Sequence, residues 1–328
     1  MGIMFKPEHQ THWTSIDSQL RELLNLEAKG ELQWFLNIHI VKGSDQQSRY
    51  LSQQAYIEEL QERFHVKVLQ KADTPFPPSL NISQVVKNED QATHDQITEY
   101  QKIVGSLLYA AIITRPDISF TVSLLSRFLR NPSEQHFTIA RHCLDYLVST
   151  KSLSLHYDAS YSGPELQVFS DAAFADDPDD RKSSDGYLVL LFGCPVLWQA
   201  RKQATVSTSS TEAEFIALTR TTKEAIALYR LLGDLTLRLD LDQIPILCDN
   251  RQAIRLVQPN AGRWATNIKH VDIYHHWLRQ VVADGQVSVS WTPTAHMAAD
   301  GFTKPLRRQK HDEFVRMLGL QPSPEEPD

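Results

Sequence analysis

The chain has 328 residues, of which 41% are hydrophobic and 22% charged, and its formal net charge is −7. This composition is typical of folded globular proteins and excludes collagen-like or largely disordered chains. The three cysteines, Cys143, Cys194 and Cys248, are widely spaced, which favours neither a disulfide framework nor a zinc site. No apolar run has membrane-spanning length, and the start lacks a signal-peptide pattern. We therefore expect an intracellular protein, cytoplasmic or nuclear, without a membrane partner.

The first part of the chain mixes helical and strand patterns. Apolar spacing predicts a helix at residues 15–26. Alternation predicts a strand at residues 32–41, followed by a hairpin partner at residues 49–52. Residues 55–64 show a second helical pattern, and the polar, proline-bearing stretch 71–96 is predicted to be loop.

Three successive helical patterns occupy the middle of the chain, at residues 97–113, 118–130 and 133–149. Pro116 and Pro132 lie at the joints, and proline is tolerated at helix starts but not in helix interiors. We expect the apolar residues of these helices to pack against one another.

A short linker at residues 160–164 precedes an apolar run that ends in Asp171. Two further strands are predicted at residues 187–192 and 196–200, separated by a glycine–cysteine–proline turn signal at 193–195. A cluster of serine and threonine then begins a long helix whose first turn carries glutamates.

The last part of the chain continues this alternation. A strand at residues 244–249 ends in Asp249, and further patterns predict a helix at 267–283 and a strand at 286–291. A final helix is predicted from Asp300, or slightly earlier, to residue 318. The order of these elements implies a mixed sheet covered by helices.

Several short motifs occur in one order along the chain. They are Asp171, residues 180–183, residues 209–214, Asp249 with Asn250, and residues 299–305. With these motifs the chain resembles the C-terminal third of a copia-type retrotransposon polyprotein, which contains the end of the reverse transcriptase followed by its ribonuclease H. The resemblance extends over nearly the whole chain.

The resemblance implies an α/β fold. It predicts a ribonuclease H-like mixed five-stranded sheet with flanking helices, preceded by a partial reverse-transcriptase palm strand pair and a helical connection region. The expected divisions are a residual palm segment at 1–70, a thumb- or connection-like region at 71–160, a ribonuclease H-like domain at 161–320 and a disordered acidic tail at 321–328.

The resemblance also implies a set of catalytic, metal-binding carboxylates. They are Asp171, Glu214, Asp249 and Asp300. Hydrolysis of a phosphodiester needs an activated water and stabilisation of developing charge, which two Mg²⁺ ions about 3.5–4 Å apart can supply. Because Mg²⁺ prefers carboxylate oxygens, a few aspartates and glutamates suffice. We expect two Mg²⁺ ions, for which Mn²⁺ can substitute.

Each aspartate has a structural alternative. Asp171 could be a solvated strand end, and Asp249 could cap a helix at residues 251–257, with Gln252 completing a capping box. Asp300 could likewise cap a helix.

The motif contains two neighbouring glutamates, Glu212 and Glu214. Their side chains point nearly opposite ways on a helix. Steps of three or four residues from Glu214 reach a largely apolar stripe, the face expected to pack on the sheet. Ser209 lies three residues before Glu212, the spacing of a capping box. We therefore assign Glu214 to the metals and Glu212 to the cap, turned outward.

Other residues near the motifs have open roles. His296 and His270 are candidates for proton shuttles, although His270 and Asp272 match a family pattern that positions a helix. We interpret Trp264 and Trp291 as core or rim residues rather than base-stacking platforms.

The chain departs from the family in two places. Its only look-alike of the polymerase Tyr-x-Asp-Asp turn is residues 174–177, which run into a polar acidic loop. We therefore predict no DNA synthesis. The family often has a carboxylate two residues after the first catalytic aspartate, and here that position is Ala173. Its absence would alter metal affinity without removing the primary ligand.

The leading hypothesis is metal-dependent cleavage of the RNA strand of RNA–DNA hybrids. The expected partners are the hybrid and the remaining reverse-transcriptase part of a polyprotein, with no small-molecule cofactor. One alternative is an inactive retroelement remnant that only binds nucleic acid or another protein. Another is that the fragment is unstable alone, because its first strands have lost their sheet neighbours and expose an edge.

Overall fold

The computed structural model describes residues 32–68, 71–258 and 269–324, with only the backbone described for 269–275. The predicted helix at 15–26, Trp264 and the last four residues lie outside these ranges, as do the side chains of His270 and Asp272. No helix in the described ranges combines the length and apolar character needed to cross a membrane.

The chain forms ten strands and eight α-helices over the described residues. The strands are β1 (Trp34–Phe35), β2 (Ile38–Lys42), β3 (Arg49–Ser52), β4 (Leu153–Tyr157), β5 (Leu166–Ala173), β6 (Ser184–Leu191), β7 (Cys194–Lys202), β8 (Ile244–Cys248), β9 (Val287–Trp291) and β10 (Leu320–Pro322). The α-helices are α1 (Gln54–Arg63), α2 (His94–Ile113), α3 (Ser119–Leu125), α4 (Glu134–Ser149), α5 (Ser210–Asp234), α6 (Arg251–Val257), α7 (Lys269–Ala283) and α8 (Arg308–Met317).

The first sheet has the order β1-β2-β3-β4-β10, and all its pairings are antiparallel. The expected hairpin of β2 and β3 is present. The expectation that these strands lack neighbours is wrong for β3, since β4 pairs with it and β10 pairs with β4. Leu155 of β4 lies opposite both Leu51 and Leu320. Leu155 and Leu320 are buried. Strands β3 and β10, from the two ends of the described chain, are therefore joined through Leu155 of β4.

The predicted strand at residues 32–41 is instead a hairpin of β1 and β2. Leu36 and Asn37 form its turn, with φ values of 48° and 61°. Asparagine tolerates this left-handed region, whereas leucine does so only at a cost. The Tyr109 hydroxyl donates a hydrogen bond to the Leu36 carbonyl. Because the turn has no glycine, the alternating pattern did not reveal it.

The helical region, which comprises α1 to α4 and the turns between them, has its own hydrophobic core. Thr93 and Ser133 cap the starts of α2 and α4 with capping boxes. The side-chain oxygen of each accepts a hydrogen bond from the backbone N–H three residues later. The predicted helix at 118–130 is shorter than expected. A 3₁₀ turn at Pro116–Ile118 leads into α3, and a second 3₁₀ turn, Ser126–Phe128, follows it.

The second sheet has the order β7-β6-β5-β8-β9, in which β5, β6 and β7 are antiparallel and β5, β8 and β9 are parallel. The predicted α/β fold with a mixed five-stranded sheet is confirmed. In the parallel pair, Phe169 lies opposite Leu247. Asp171 and Asp249, two residues further along each chain, therefore reach the same edge of the sheet.

The turn between β6 and β7 differs from the prediction. Phe192 and Gly193 form it, both with positive φ (48° and 75°), while Cys194 and Pro195 already belong to β7. Two consecutive positive φ values give the hairpin turn whose twist matches that of the strands. The predicted glycine, Gly193, does lie in the turn, which begins one residue before the expected segment 193–195.

The predicted last helix is divided into two elements. A 3₁₀ segment, Ala298–Phe302, carries Asp300, and α8 begins only at Arg308. Pro305 lies between them, and a proline removes a helical hydrogen bond and clashes with the preceding turn. The expected disordered tail does not begin at residue 321, because Gln321 and Pro322 pair with β4.

Residues 174–177 lie in the connection between β5 and β6 and take part in structural ion pairs. The Asp177 carboxylate lies 2.9 Å from Arg127 and 2.7 Å from Lys202. Asp176 accepts hydrogen bonds from the backbone N–H and the hydroxyl of Ser184. These contacts hold the helical region against the second sheet and give both aspartates a structural role.

Candidate active site

Asp171 lies near the end of β5 with a side chain that is almost fully buried. The Thr303 hydroxyl donates a short hydrogen bond to its Oδ2. The solvated strand end considered as its alternative is therefore wrong. A buried carboxylate held by a hydroxyl on one oxygen retains its other oxygen for a further partner.

Asp249 follows β8 directly. The helix cap considered as its alternative is filled by Asn250, whose Oδ1 accepts from the backbone N–H groups of Gln252 and Ala253 at 3.0 Å each. Asp249 instead accepts a hydrogen bond from the Thr294 hydroxyl at 2.8 Å. The capping alternative is thus wrong, and the Asp249 carboxylate faces the sheet edge.

Glu214 and Glu212 occupy different environments in the first turns of α5. Glu214 approaches Asp249 and Cys248 within 4.8 Å, measured between potential ligand atoms. The Glu212 carboxylate accepts bonds from the backbone N–H and hydroxyl of Thr208, at 2.7 Å and 2.6 Å. Glu212 therefore has the expected structural role. Its side chain is nonetheless buried rather than turned outward, and it bonds Thr208 rather than the cap residue Ser209.

Asp300 reaches the cluster because its 3₁₀ segment packs closely on β6. Gly186 of β6 pairs with Asp171, and a Cβ at Gly186 would lie 2.5 Å from the Cβ of Phe302. The missing side chain lets the 3₁₀ segment approach the sheet. Asp300 caps no helix through its side chain, and its Oδ1 lies 2.8 Å from Lys304 Nζ.

The structure brings all four predicted carboxylates to one place from four separate elements. Potential ligand atoms of Asp171, Asp249 and Asp300 all lie within 4.8 Å of one another, and Glu214 joins them through Asp249. Glu214 Oε2 is buried and has no hydrogen-bond partner among the described residues. A buried, unsatisfied carboxylate oxygen in a cluster of four carboxylates fits a hard divalent cation such as Mg²⁺.

The pKa shifts of the clustered carboxylates also indicate a functional site. Burial, together with the charge of Asp300, raises the pKa of Asp171 to about 7. Burial and the charges of Asp171 and Asp249 raise the pKa of Glu214 to about 10. Lys304 opposes both shifts but does not cancel them. Carboxylates that repel one another in a buried site are typical of functional sites.

No protein-family model matches the chain. Two curated relatives match nearly all of it. The retrovirus-related Pol polyprotein from transposon TNT 1-94 of Nicotiana tabacum is 34% identical over 93% of this chain and 23% of its own length. That from transposon RE1 of Arabidopsis thaliana is 34% identical over 92% of this chain and 20% of its own length. The chain belongs to the copia-type retrotransposon Pol polyproteins.

This Pol polyprotein chain thus spans about a fifth to a quarter of the length of those relatives. Among solved structures, the RNase H1 of Halobacterium salinarum NRC-1 is 16% identical, with a TM-score of 0.29, over 46% of this chain and 97% of that one. The family assignment therefore rests on the sequence relatives, and the fold on the observed strand order.

Sequence reasoning did not assign roles to three residues of this Pol polyprotein site: Thr294, Thr303 and Lys304. Thr303 and Lys304 were part of the family match, and the four-residue spacing of Asp300 and Lys304 was the available signal. Nothing in the sequence linked Thr294 to Asp249, which lies 45 residues away along the chain. His296 lies on the exposed 3₁₀ turn Thr294–His296, and its proposed catalytic role stays a prediction.

Proposed function

We propose that this chain hydrolyses the RNA strand of RNA–DNA hybrids with the help of divalent cations. The observation that carries the proposal is the convergence of Asp171, Glu214, Asp249 and Asp300 on one sheet edge. Four buried or half-buried carboxylates with little compensating positive charge destabilise a fold unless a cation joins them. Membership of the copia-type Pol polyproteins supports the same activity.

Asp171 and Asp249 would hold the cations from the ends of two parallel strands, with Glu214 and Asp300 completing the ligand set. The bound cations would supply a nucleophile at neutral pH and stabilise charge on the phosphate. Thr303 and Thr294 fix the orientation of Asp171 and Asp249 through hydrogen bonds. Preorganised ligands of this kind need little rearrangement during the reaction.

Lys304 contributes to the stability of the proposed site. Its ammonium group lies against Asp300 and interacts favourably with Asp171. It therefore lowers the repulsion among the carboxylates when no cation is bound.

The proposed substrate is the hybrid duplex rather than a particular sequence. A hybrid presents 2′-hydroxyls in a wide, shallow minor groove, which a protein can recognise without reading base identity. We further propose that other parts of the Pol polyprotein contribute to binding, since the chain spans only part of its relatives.

The test is a cleavage assay on a hybrid with labelled RNA, with Mg²⁺, with Mn²⁺ and with a chelator. We expect RNA fragments with either cation, none with chelator, and no cleavage of the same RNA as a single strand. Asp171→Asn purified in parallel controls for contaminating nucleases. Equal cleavage by wild type and Asp171→Asn would refute the assignment, and binding without cleavage would indicate the inactive remnant.

A further inference from the structure

A tryptophan–arginine pair lies directly beside the carboxylate cluster. Trp291, at the end of β9, is 45% exposed, and its indole N–H donates a 3.1 Å hydrogen bond to the Asp249 carbonyl. The guanidinium carbon of Arg251 lies 4.2 Å from the centre of the Trp291 ring. The pair is thus connected to a predicted metal ligand both by the chain and by a hydrogen bond.

The guanidinium group of Arg251 lies over the Trp291 ring. A guanidinium group that packs face-on against an aromatic ring keeps its N–H donors in its own plane, pointing away from the ring. Arg251 is exposed, and no carboxylate in the described part of the chain forms an ion pair with it. The Trp291 ring defines the position of the Arg251 guanidinium group, whose N–H donors have no acidic partner in the described part of the chain.

The nearby cations differ in this respect. Arg201 and Arg220 both contact the buried Asp185, and Lys304 contacts Asp300. Arg251 therefore combines proximity to Asp249 with an uncommitted positive charge. An oriented guanidinium fork matches the two oxygens of a phosphate, and its preorganisation lowers the entropy lost on binding.

We propose that Arg251 binds a backbone phosphate of the nucleic-acid strand next to the carboxylate cluster, and that Trp291 is the positioning residue that holds it. The inference rests on the proposed function for the identity of the ligand, a nucleic-acid duplex. One face of Trp291 is covered by Arg251, which agrees with a rim position rather than a base-stacking platform.

Hybrid binding measured by fluorescence anisotropy in chelator, over a range of salt concentrations, tests this inference. One phosphate contact contributes about 0.9 to the slope of log K against log salt for B-form duplexes. We expect Arg251→Ala to weaken binding about tenfold and to reduce that slope by about one. Arg255→Ala is the matched control, because Arg255 is exposed on the same helix and has no aromatic partner among the described residues. It should change binding less than twofold.

Two further variants separate charge from positioning. Arg251→Lys keeps the charge but loses the planar fork, and Trp291→Phe keeps a ring but loses the hydrogen bond to Asp249. Both should keep the wild-type salt slope and bind about threefold more weakly. Thermal unfolding of each variant, expected within about 2 °C of wild type for exposed side chains, excludes loss of folding.

Three results would overturn the inference: unchanged affinity and slope for Arg251→Ala, an equal loss for Arg255→Ala, or no hybrid binding by the wild type in chelator at low salt. The outcome is independent of catalysis. Arg251-dependent binding without RNA cleavage would refute the proposed function alone. Cleavage by the wild type together with unchanged binding by Arg251→Ala would refute only the inference.

Discussion

Two of the places where the described chain buries charged side chains differ in their balance of positive and negative groups. In the helical region Arg115 and Asp117 form an ion pair in which both side chains are fully buried. Arg115 also donates to the carbonyl and the hydroxyl of Thr150, and the Tyr146 hydroxyl donates to Asp117 at 2.7 Å. At the edge of the second sheet, by contrast, four carboxylates share a site with one lysine.

The two places show that the neighbouring charges and hydrogen bonds determine how a buried carboxylate behaves. Burial alone raises the pKa of Asp117, but Arg115 and Tyr146 outweigh it, and the net shift is downward. Burial raises the pKa of Asp171 in the same direction, and there the neighbouring carboxylates add to it. A satisfied buried network stabilises one structure, whereas an unsatisfied carboxylate cluster indicates a binding site.

The sharpest way to test this contrast is to make the same substitution in both places. Asp171→Asn should reduce hybrid cleavage by about a thousandfold or more, as expected when a shared metal ligand is lost. Its stability should stay unchanged or rise, because a repelling carboxylate is removed. Cleavage rates and thermal unfolding measure both effects.

Asp117→Asn is the matched substitution in the buried network. It should lower stability clearly while the folded fraction cleaves at the wild-type rate, since the contacts of Asp117 are with Arg115 and Tyr146 and not with the carboxylate cluster. A stable Asp117→Asn together with a destabilised Asp171→Asn would reverse the comparison and contradict it.

Within the cluster, Glu214→Gln should abolish cleavage, whereas Glu212→Gln should keep most of it. Glu214 borders Asp249, while Glu212 bonds only Thr208 among the described contacts of its carboxylate. The Glu212 variant should lose about 1 kcal/mol of stability through its weaker hydrogen bonds. Inactivation by Glu212→Gln with activity retained in Glu214→Gln would exchange the two assignments.

Removing the positive partner of the network is the next largest effect. Arg115→Met should lower the free energy of unfolding by about 3–5 kcal/mol, because it leaves Asp117 buried without its cation. Arg141→Met is the control, since Arg141 pairs with Glu99 at the surface and each side chain is 57% exposed. That variant should lose less than about 1 kcal/mol in chemical denaturation.

The two places should also differ in the sign of their pH dependence. Asp171 and Glu214 have folded-state pKa values above their ordinary ones, so without metal the folded state holds more protons than the unfolded state. Stability should therefore fall as pH rises from about 4 towards 7 for Asp171 and towards 10 for Glu214, by up to about 1.4 kcal/mol per pH unit for each group.

Asp117 behaves in the other direction. Its lowered pKa means that its contribution is present above its ordinary pKa and is lost only in more acidic solution. Denaturation at several pH values, in chelator and with Mg²⁺, separates the two. Mg²⁺ should remove the loss of stability on the alkaline side, and a fall that Mg²⁺ does not change would argue against a metal site.

Local patterns in the sequence predicted most secondary structure, and the family resemblance added the set of four carboxylates. Apolar runs ending in Asp171 and Asp249 identified β5 and β8, and the opposite helix faces of Glu212 and Glu214 separated these glutamates. Such information is local, since it depends on side-chain period and on the residue type at an element's end.

Tertiary structure alone decided the features that depend on distant partners. The pairing of β10 with β4 joins residues more than 160 positions apart, and the approach of Asp300 to Asp171 depends on the missing side chain of Gly186. The stacking of Arg251 on Trp291 is of the same kind. Residue types and spacing specify which groups are present and which way they face, whereas their partners follow only from packing, because contacts between distant segments leave no period in the sequence.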